Sequence, residues 1–457
     1  MDISDEDSSP RFSKKHEGTA WRLWISVGCA LLGPFSFGYV IGYSSPAIPE
    51  LEQRGLLHHS QSGWFASLIT VGALFGGPLA GWSIEKYGRR ATMRFTAIPF
   101  LLGWLLIRLE DFFVGRFLCG LASGSVTVCA PIYIAEVSTS SLRGTLGACV
   151  QLFITLGILC AYSAGVTYSW SDMADFGVLA ALLMLAVLFL IPETPRWLLM
   201  NKTKAEAVQA LQKLRNQHAD CEDECRDIEE GLDVKETFSW GEFKKTELSR
   251  PLMISVIIMI FQQFSGINAV MFYTVSIFKD AGIDNSEMAT VLIGAVQVCG
   301  TVVACILMDR MGRRRLLIIG GSVMSLACFL FGWYFYKVNS GVTDWGKLPV
   351  VCLVLYIIGF SLGWGPIPML IMSEIFPSRV RGAASGIAIL ANWTCAFIVT
   401  KEFVFIQDTF GSASTFWMFA ISCFCSVIYV WKKVPETKGK SLEDIELFFL
   451  GKSMMIA

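Results

Sequence analysis

The chain has 457 residues, of which 54% are hydrophobic and 16% are charged, and its formal net charge is −1. Soluble globular proteins carry about 25% charged residues, so this composition favours an integral membrane protein over a soluble domain. The near-neutral balance lacks the basic excess that nucleic-acid binding uses, and no nucleic-acid partner is expected.

Apolar runs of about 20 residues recur along the chain, and each is long enough to cross a bilayer as a helix. We predict twelve spans, at residues 21–43, 63–84, 91–109, 116–136, 145–168, 173–191, 252–275, 286–308, 315–336, 349–372, 383–404 and 414–431. The predicted domains are an N-terminal tail (1–20), a six-helix half (21–196), a linker with short helices (197–250), a second six-helix half (251–434) and a C-terminal tail (435–457). The fold class is therefore an all-α membrane protein.

Short motifs in the loops recur once per half, in the same order. The sequence EKYGRR at 85–90 is echoed by DRMGRR at 309–314, and PETPR at 192–196 is echoed by PETK at 435–438. A Glu also precedes an Arg-Gly pair by seven residues at 136 and again at 374. Such repetition indicates two homologous halves, which many transporters use to alternate access to a central site.

The basic residues of the short loops lie mostly on the side of both termini, which predicts cytoplasmic termini. Residues 1–18 lack the layout of a cleaved signal peptide, so the first span is expected to direct insertion. We expect a multi-pass membrane protein. Residues 1–21 contain no evident dileucine sorting signal, so both the plasma membrane and an internal (endosomal or lysosomal) membrane remain open.

The linker is predicted to contain short surface helices. Thr203 and Glu206 form a capping box, apolar residues recur at helical spacing from 205 to 214, and 225–232 is a second short candidate helix. The linker has no Gly-rich phosphate loop, which argues against ATP-driven transport. No cofactor and no metal are expected.

Polar side chains within the spans carry the functional prediction, because a polar group in a membrane must find a partner or line a water-filled cavity. Amides both donate and accept hydrogen bonds, which suits a substrate rich in hydroxyl groups, and an aromatic face suits the C–H side of a sugar ring. The alternative is that each amide bonds a neighbouring helix. The candidates are Gln151, Gln262, Gln263, Asn268, Gln297, Asn392 and Trp393.

Charged and titratable groups are missing from the middle of the spans. No Asp or Glu lies there, and the four histidines (16, 58, 59 and 218) fall in predicted loops or the tail. A substrate with a fixed charge needs a countercharge and proton coupling needs a titratable group, so a neutral solute moving down its gradient is expected.

Several motifs together resemble the sugar porter family of the major facilitator superfamily over about residues 20–445. They are GRR at 88–90, GRF at 115–117, PETPR at 192–196, QQFSGIN at 262–268, GPIP at 365–368 and PETKGK at 435–440. The segments GYSSPAIP at 42–49 and VTKEF at 399–403 look most like class III facilitative glucose transporters, notably type 8, and insect trehalose transporters are similar.

The resemblance implies roles for the residues of the spans. Gln151, Gln262, Gln263, Asn268 and Asn392 would hydrogen-bond the sugar together with Gln297. An apolar wall would consist of Trp393, Ile154, Ile158 and Phe360, and Tyr273 would gate the outer side. Family members driven by protons carry an Asp where this chain has Val40, which favours uniport and leaves Arg116 without a carboxylate partner.

The resemblance also implies ion networks that close the cytoplasmic side and break as the halves rock. In the first half, Glu85, Arg89 and Arg90 would pair with Glu193, Arg196 and Arg143, near Glu136. In the second half, Arg310, Arg313 and Arg314 would pair with Glu374, Arg381 and Glu436. The alternative is that these arginines only fix the topology.

Three departures from the family pattern stand out. Met369 occupies a position where the family has a tryptophan, the stretch 104–115 is shorter than in relatives, and Trp170-Ser171 replaces a Trp-Arg pair. We predict a twelve-span facilitator of a hexose such as glucose, functional as a monomer. A trehalose or polyol transporter and a non-transporting sugar sensor remain alternatives. An enzyme is not expected, because the spans contain no nucleophile, base or metal cluster.

Overall fold

The computed structural model of the chain is almost entirely helical. It describes residues 21–139, 142–215, 221–230, 246–341, 346–376, 380–440, 445, 448 and 449. The predicted N-terminal tail, residues 216–220 and 231–245 of the linker, and most of the C-terminal tail lie outside the described residues, as do the last two positions of the short helix predicted at 225–232.

The first half of the chain forms six long helices. They are α1 (Trp21–Gln53), α2 (His59–Tyr87), α3 (Arg89–Arg108), α4 (Phe112–Val137), α5 (Arg143–Ala164) and α6 (Trp170–Val187). Glycines allow α1 and α5 to pack closely: a Cβ on Gly38 would lie 1.9 Å from the carbonyl oxygen of Ile154, and one on Gly157 would lie 2.1 Å from that of Phe35. Small residues bring backbones together in this way in membrane helix pairs.

Three short helices follow: α7 (Pro195–Asn201), α8 (Lys204–Leu214) and α9 (Cys221–Glu230). The Oγ1 atom of Thr203 accepts the N–H of Glu206, so the predicted cap at the start of α8 is present. Arg215 joins this unit to the first half, because its guanidinium donates to the carbonyl oxygen of Val137 at 2.8 Å and to the carboxylate of Glu224.

The second half contains interrupted helices. Its elements are α10 (Thr246–Phe264), α11 (Ile267–Asp280), α12 (Ser286–Met311), α13 (Arg313–Asn339), α14 (Leu348–Gly359), a π-helical segment (Phe360–Trp364), α15 (Ile367–Ile375) and α16 (Arg381–Lys433). Gly266 (φ 89°) separates α10 from α11, a left-handed conformation that glycine adopts without steric cost. The segment 365–366 separates the π-helical segment from α15, as its proline dictates.

Eleven helical stretches of the described chain are long and apolar enough to cross a membrane, whereas we predicted twelve spans. The difference lies in α16, whose 53 residues include a break at Gly411 (φ 81°, ψ 157°). A helix of that length would exceed twice the thickness of the bilayer core. The two sides of Gly411 therefore correspond to the eleventh and twelfth predicted spans.

The shortened stretch between the third and fourth spans is a tight turn. Only residues 109–111 separate α3 from α4, and Glu110 adopts a left-handed φ of 68°. A Cβ on Gly103 would lie 2.8 Å from the carbonyl oxygen of Gly115, so the two helices approach closely beside this turn. The buried ring of Trp104 packs edge-on against Tyr43.

The helix ends define two faces of the membrane domain. We call one the arginine-rich face; it contains the ends at Trp21, Tyr87, Arg143, Met311, Arg381 and Lys433. The opposite face contains the ends at Gln53, His59, Ala164, Asp280 and Ser286. Contacts between the two halves include Phe37 with Trp393, Tyr162 with Met271 and, at the opposite face, His59 with Asp408.

Candidate functional site

Four amides of the second half meet at the break between α10 and α11. The Nε2 atom of Gln263 donates to Oδ1 of Asn392 at 3.2 Å, and Nδ2 of Asn392 donates to Oε1 of Gln262 at 2.8 Å. Nδ2 of Asn268 donates to Oε1 of Gln263 at 2.7 Å. Residues 130 positions apart in the chain thus form one buried polar cluster, which we call the amide cluster (Gln262, Gln263, Asn268 and Asn392).

The amide cluster is also bonded to the interrupted tenth span. Nε2 of Gln262 donates to the carbonyl oxygens of Trp364 at 2.6 Å and of Gly365 at 3.3 Å. The π-helical segment and the following break release carbonyl groups from regular helical bonding. Two of these carbonyl oxygens accept the side-chain N–H groups of Gln262 instead. An amide cluster joined to freed backbone carbonyls can exchange these partners for the hydroxyl groups of a ligand.

The residues predicted to form the apolar wall come from both halves. The ring of Trp393 packs edge-on against Phe37 of α1, with ring centroids 6.3 Å apart. Ile158 and Phe360 are buried, while Gln151 and Ile154 on α5 are half-buried. The predicted members of the wall therefore lie on α5, α16 and the π-helical segment.

Gln297, on α12, is buried with only 4% of its surface exposed, and its Oε1 atom has no hydrogen-bond partner in the described part of the chain. A buried acceptor without a partner is costly, and such groups frequently mark a ligand or functional site. Its predicted role in sugar binding stays a prediction.

Tyr273 lies where the two halves meet towards the opposite face. Its hydroxyl donates to the carbonyl oxygen of Ser62 in α2 at 3.0 Å, and its ring stacks on Phe403 of α16 at 5.1 Å. It is buried, and its φ of −119° and ψ of 17° place it at a kink in α11. Tyr273 therefore joins the two halves at a kink of α11, and its predicted role as a gate stays a prediction.

A cavity of about 530 Å³ lies between the halves, and Tyr273 is part of its lining. Its lining includes Glu52, His59, Asp280 and Asp408. The Nδ1 atom of His59 lies 3.1 Å from the carboxylate of Glu52 in the same half, and Nε2 lies 3.3 Å from that of Asp408 in the other half. His59 thus bridges the two halves.

At the arginine-rich face, the first half contains a compact ion network. Arg89 pairs with Glu136 at 2.7 Å, and both side chains are about nine-tenths buried. The carboxylate of Glu193 accepts the backbone N–H groups of Arg89 (3.0 Å), Arg90 (3.1 Å) and Thr194 (2.9 Å). Burial raises the pKa of Glu193, and these three donors oppose that shift.

The second half repeats this network. Arg313 pairs with Glu374 at 2.9 Å, and Glu436 accepts the backbone N–H groups of Arg313 at 2.9 Å and Arg314 at 3.1 Å. In both halves a carboxylate from a later segment occupies the N-terminus of a helix, where free N–H groups and the helix dipole favour negative charge.

Arg116 is fully buried in α4 and is bonded to neutral acceptors. Its guanidinium donates to the carbonyl oxygens of Phe65 (3.2 Å) and Val40 (3.1 Å) and to the hydroxyl of Ser44. Arg116 is thus held by neutral acceptors, and no carboxylate is among its partners in the part of the chain that the structure describes.

Comparison with known proteins gives consistent results. The profile of the family described as sugar (and other) transporter matches residues 26–449. The chain belongs to this family.

Individual relatives agree with that membership. The chain is 38% identical to the solute carrier family 2, facilitated glucose transporter member 8 of Mus musculus, over 94% of this chain and 95% of that protein. It is 38% identical to the facilitated trehalose transporter Tret1 of Bombyx mori, over 98% of this chain and 90% of that protein. The inward-open structure of the xylose transporter XylE from E. coli superposes with a TM-score of 0.80 at 27% identity, over 93% of this chain and 99% of that one. The predicted major facilitator fold of a multi-pass membrane protein is confirmed.

Two of the predicted ion pairings differ in the structure. Glu193 and Glu436 accept backbone N–H groups instead of guanidinium groups, because each carboxylate lies at the N-terminus of another helix, α3 or α13. The hydrogen bond of Arg143 runs from its Nε to the carbonyl oxygen of Ala135, and that of Arg381 runs to the carbonyl oxygen of Phe376.

Three further predicted gate residues contribute through other groups or are exposed. The carbonyl oxygen of Glu85 accepts the indole N–H of Trp197, and that of Arg310 accepts Nζ of Lys438. The side chains of Glu85, Arg196 and Arg310 are exposed.

Three residues that join the halves were not predicted to do so. The hydroxyl of Ser45 accepts the N–H of Val275 at 3.0 Å, the hydroxyl of Tyr162 donates to the carbonyl oxygen of Met271 at 2.7 Å, and His59 contacts Asp408. Ser45 and Tyr162 look like ordinary helix residues, and His59 was predicted in a loop but is the first residue of α2. Only the position of His59 at the end of a span could have indicated a contact there.

Proposed function

We propose that the chain transports a neutral sugar, a hexose such as glucose, down its gradient by alternating access. The single observation that supports this most directly is the amide cluster, in which four amides lie beside Trp393 at a break between two helices. Amides bind hydroxyl groups without a countercharge, and the interruption supplies backbone carbonyls that can exchange partners.

Uniport is supported by the surroundings of Arg116, whose partners are two backbone carbonyls and a hydroxyl. None of these neutral acceptors changes charge between pH 5 and 8, so the contacts give a proton no place to couple to sugar movement. We expect sugar to equilibrate across the membrane without accumulating when a pH gradient is applied.

We further propose that the arginine-rich face is cytoplasmic, as the positive-inside rule indicates. The halves are joined at the opposite face, so the amide cluster would then be reached from the cytoplasm. The likeness to an inward-open transporter supports this orientation. The chain would act as a monomer in either the plasma membrane or an endosomal or lysosomal membrane.

The test is counterflow of radiolabelled glucose in proteoliposomes at matched pH, with wild type beside Gln262→Ala. Gln262 is 8% exposed and bonds Asn392, Trp364 and Gly365. We expect an overshoot in wild type and at least a tenfold loss in the variant, equivalent to about 1.4 kcal/mol of lost sugar binding. Ser36→Ala, which removes a buried hydroxyl bonded only within its own helix, is the control.

Trehalose is the second candidate, because the match to the Bombyx mori trehalose transporter covers 98% of this chain. The same vesicles loaded with trehalose distinguish the two sugars by which one drives the overshoot. Binding of sugar without any overshoot would favour a sensor and contradict the proposal.

A further inference from the structure

The break between α10 and α11 interrupts the backbone hydrogen bonding beside the amide cluster. In a regular α-helix, each carbonyl oxygen accepts the N–H of the residue four positions later. Gly266, with its φ of 89°, ends that pattern, and its own N–H donates to the carbonyl oxygen of Gln263 at 3.0 Å. Ser265 directly precedes this glycine and is buried, with 2% of its surface exposed, so its carbonyl oxygen needs another donor.

Tyr356 of α14 supplies that donor. Its hydroxyl donates to the carbonyl oxygen of Ser265 at 3.0 Å, and only 1% of its surface is exposed. The hydroxyl of Ser265 in turn donates to the carbonyl oxygen of Gln262 at 2.7 Å. On the other side of the break, a Cβ on Gly266 would lie 2.6 Å from the ring of Phe419. The break is therefore held between α14 and α16.

The span that contains Tyr356 also contacts the amide of Gln262. The α14 helix continues into the π-helical segment, and the carbonyl oxygen of Trp364 there accepts Nε2 of Gln262 at 2.6 Å. In the described part of the chain, hydrogen bonds thus join the break to the tenth span at two places. One uses the side chain of Tyr356, and the other uses an amide that belongs to the candidate sugar site.

We propose that Tyr356 is a positioning residue for sugar binding, which holds the break against the tenth span when Gln262 exchanges the carbonyl oxygen of Trp364 for a sugar hydroxyl. Tyr356 acts through the carbonyl oxygen of Ser265 and does not itself contact the sugar. The inference rests on the proposed function and adds a residue that supports the site from behind.

The two bonds contribute differently to the sugar-free and sugar-bound proteins. Without sugar, the bond from Gln262 to Trp364 holds the break even when the hydroxyl of Tyr356 is removed. With sugar bound, the bond from Tyr356 to Ser265 remains while that from Gln262 is exchanged. Loss of the hydroxyl therefore costs more in the bound state than in the free state, and a difference of this kind lowers the affinity for the sugar.

The first measurement is the dissociation constant of glucose, obtained by titrating the tryptophan fluorescence of the full-length chain in detergent, with trehalose titrated in parallel. Tyr356→Phe should raise the dissociation constant about fivefold, the effect of losing one buried hydrogen bond. In a Gln262→Ala background, both states depend on Tyr356, so adding Tyr356→Phe should leave the dissociation constant unchanged. A general loosening of the fold would raise the dissociation constant in both backgrounds.

The second measurement needs no sugar and follows backbone hydrogen exchange in residues 262–270, which span the break. Tyr356→Phe alone should change the exchange rates less than twofold, because Gln262 still bonds Trp364. In the Gln262→Ala background the same substitution should raise them about fivefold. The two measurements thus respond to Tyr356 in opposite backgrounds.

Tyr334→Phe is the control variant, because Tyr334 is a buried tyrosine of the same half that donates to the carbonyl oxygen of Ala281 at 2.8 Å, away from the break. It should leave the dissociation constants and the exchange rates of residues 262–270 as they are in both backgrounds.

The inference is overturned if Tyr356→Phe leaves the dissociation constant unchanged in the otherwise wild-type chain, or raises it equally in the Gln262→Ala background. An equal effect of Tyr334→Phe would overturn it as well. A wild type that binds neither glucose nor trehalose would contradict the proposed function. The exchange rates would then still support or refute the hold of Tyr356 on the break.

Discussion

At the arginine-rich face, the described ion pairs join helices of the same half, whereas at the opposite face hydrogen bonds and rings join one half to the other. Arg89 with Glu136 and Arg313 with Glu374 belong to the first kind. Tyr273 with Ser62 belongs to the second. A rocking motion of two rigid halves would break the contacts of the opposite face and preserve the internal networks.

A polar contact therefore has different consequences at the arginine-rich face and at the opposite face. A contact within one half has the same energy in every state of the transporter, so its loss lowers the stability of the fold. A contact between the halves exists in one state only, so its loss changes the populations of the states. Variants at the two faces should separate along these lines.

The largest effect is expected for Glu193→Ala. The variant leaves three backbone N–H groups without their acceptor at a buried helix start, and hydrogen bonds to charged groups contribute about 1.5–3 kcal/mol each. We expect the free energy of unfolding to fall by about 3 kcal/mol. Thermal unfolding in detergent is the measurement. The distance between spin labels attached at Gln53→Cys and Thr409→Cys, across the opposite face, should stay as in wild type.

Glu85→Ala is the matched control for that variant, because the exposed Glu85 contributes only its carbonyl oxygen to a hydrogen bond with Trp197. It should leave the unfolding temperature almost unchanged. A shift in the opposite-face distances by Glu193→Ala would show that the network differs between states and does not belong to one rigid half.

A smaller effect, on populations, is expected for Gly63→Ala. A Cβ at this position would lie 2.7 Å from the carbonyl oxygen of Lys401 in the other half, a distance that requires the backbones to move apart. Overpacking of this kind costs about 1–3 kcal/mol, which here falls only on the state closed at the opposite face. The fraction of long opposite-face distances should therefore rise at least fivefold.

Gly81→Ala on the same helix is the control, because nothing lies within 4 Å of its added methyl group. It should leave the distances as they are. Unchanged distances in Gly63→Ala would mean that the opposite face is not closed by this contact.

The smallest effect concerns pH and His59. Ionised carboxylates only accept hydrogen bonds, so the contacts of His59 with Glu52 and Asp408 both require an N–H and hence a protonated ring. Asp280 and Lys279 line the same cavity. Exposed ion pairs contribute about 0–1 kcal/mol, so acidifying from pH 8 to pH 5 should favour closure of the opposite face by at most about fivefold.

His59→Gln removes the titrating ring and keeps a polar side chain. Its opposite-face distances should show no dependence on pH between 5 and 8, whereas those of wild type should shorten as the pH falls. An equal pH dependence in both proteins would assign the effect to another group.

The sequence predicted the fold and four amides that meet, because amides in apolar spans stand out against their surroundings; Gln151 and Gln297, predicted with them, are not part of the amide cluster. Gln262, Gln263, Asn268 and Asn392 do meet, and their mutual hydrogen bonds combine the two interpretations that the sequence left open. Tyr273 was predicted to gate the outer side, and it lies at the interface between the halves.

The partners of charged and hydroxyl groups could not be predicted as well. Glu193 was expected to bind arginine side chains, but the free N–H groups of a helix start were nearer, and such groups are not visible as residue types. The kink at Tyr273 depends on φ and ψ, which residue types do not reveal. Ser45 and Tyr162, which bond Val275 and Met271 on either side of the kink, are more than 100 residues away in the chain. Pattern analysis of single spans cannot find such pairs.

The central claim is that the two halves close one face while they open the other around a bound sugar. The most direct test compares two label pairs in otherwise matched proteins: Gln53→Cys with Thr409→Cys at the opposite face, and Gly144→Cys with Gly382→Cys at the arginine-rich face, where both added side chains meet open space. We expect the distance between the labels of the opposite face to be short when that between the labels of the arginine-rich face is long. Glucose should shift the populations of the two distances in opposite directions. Distances that vary independently, or that ignore a sugar the protein transports, would contradict it.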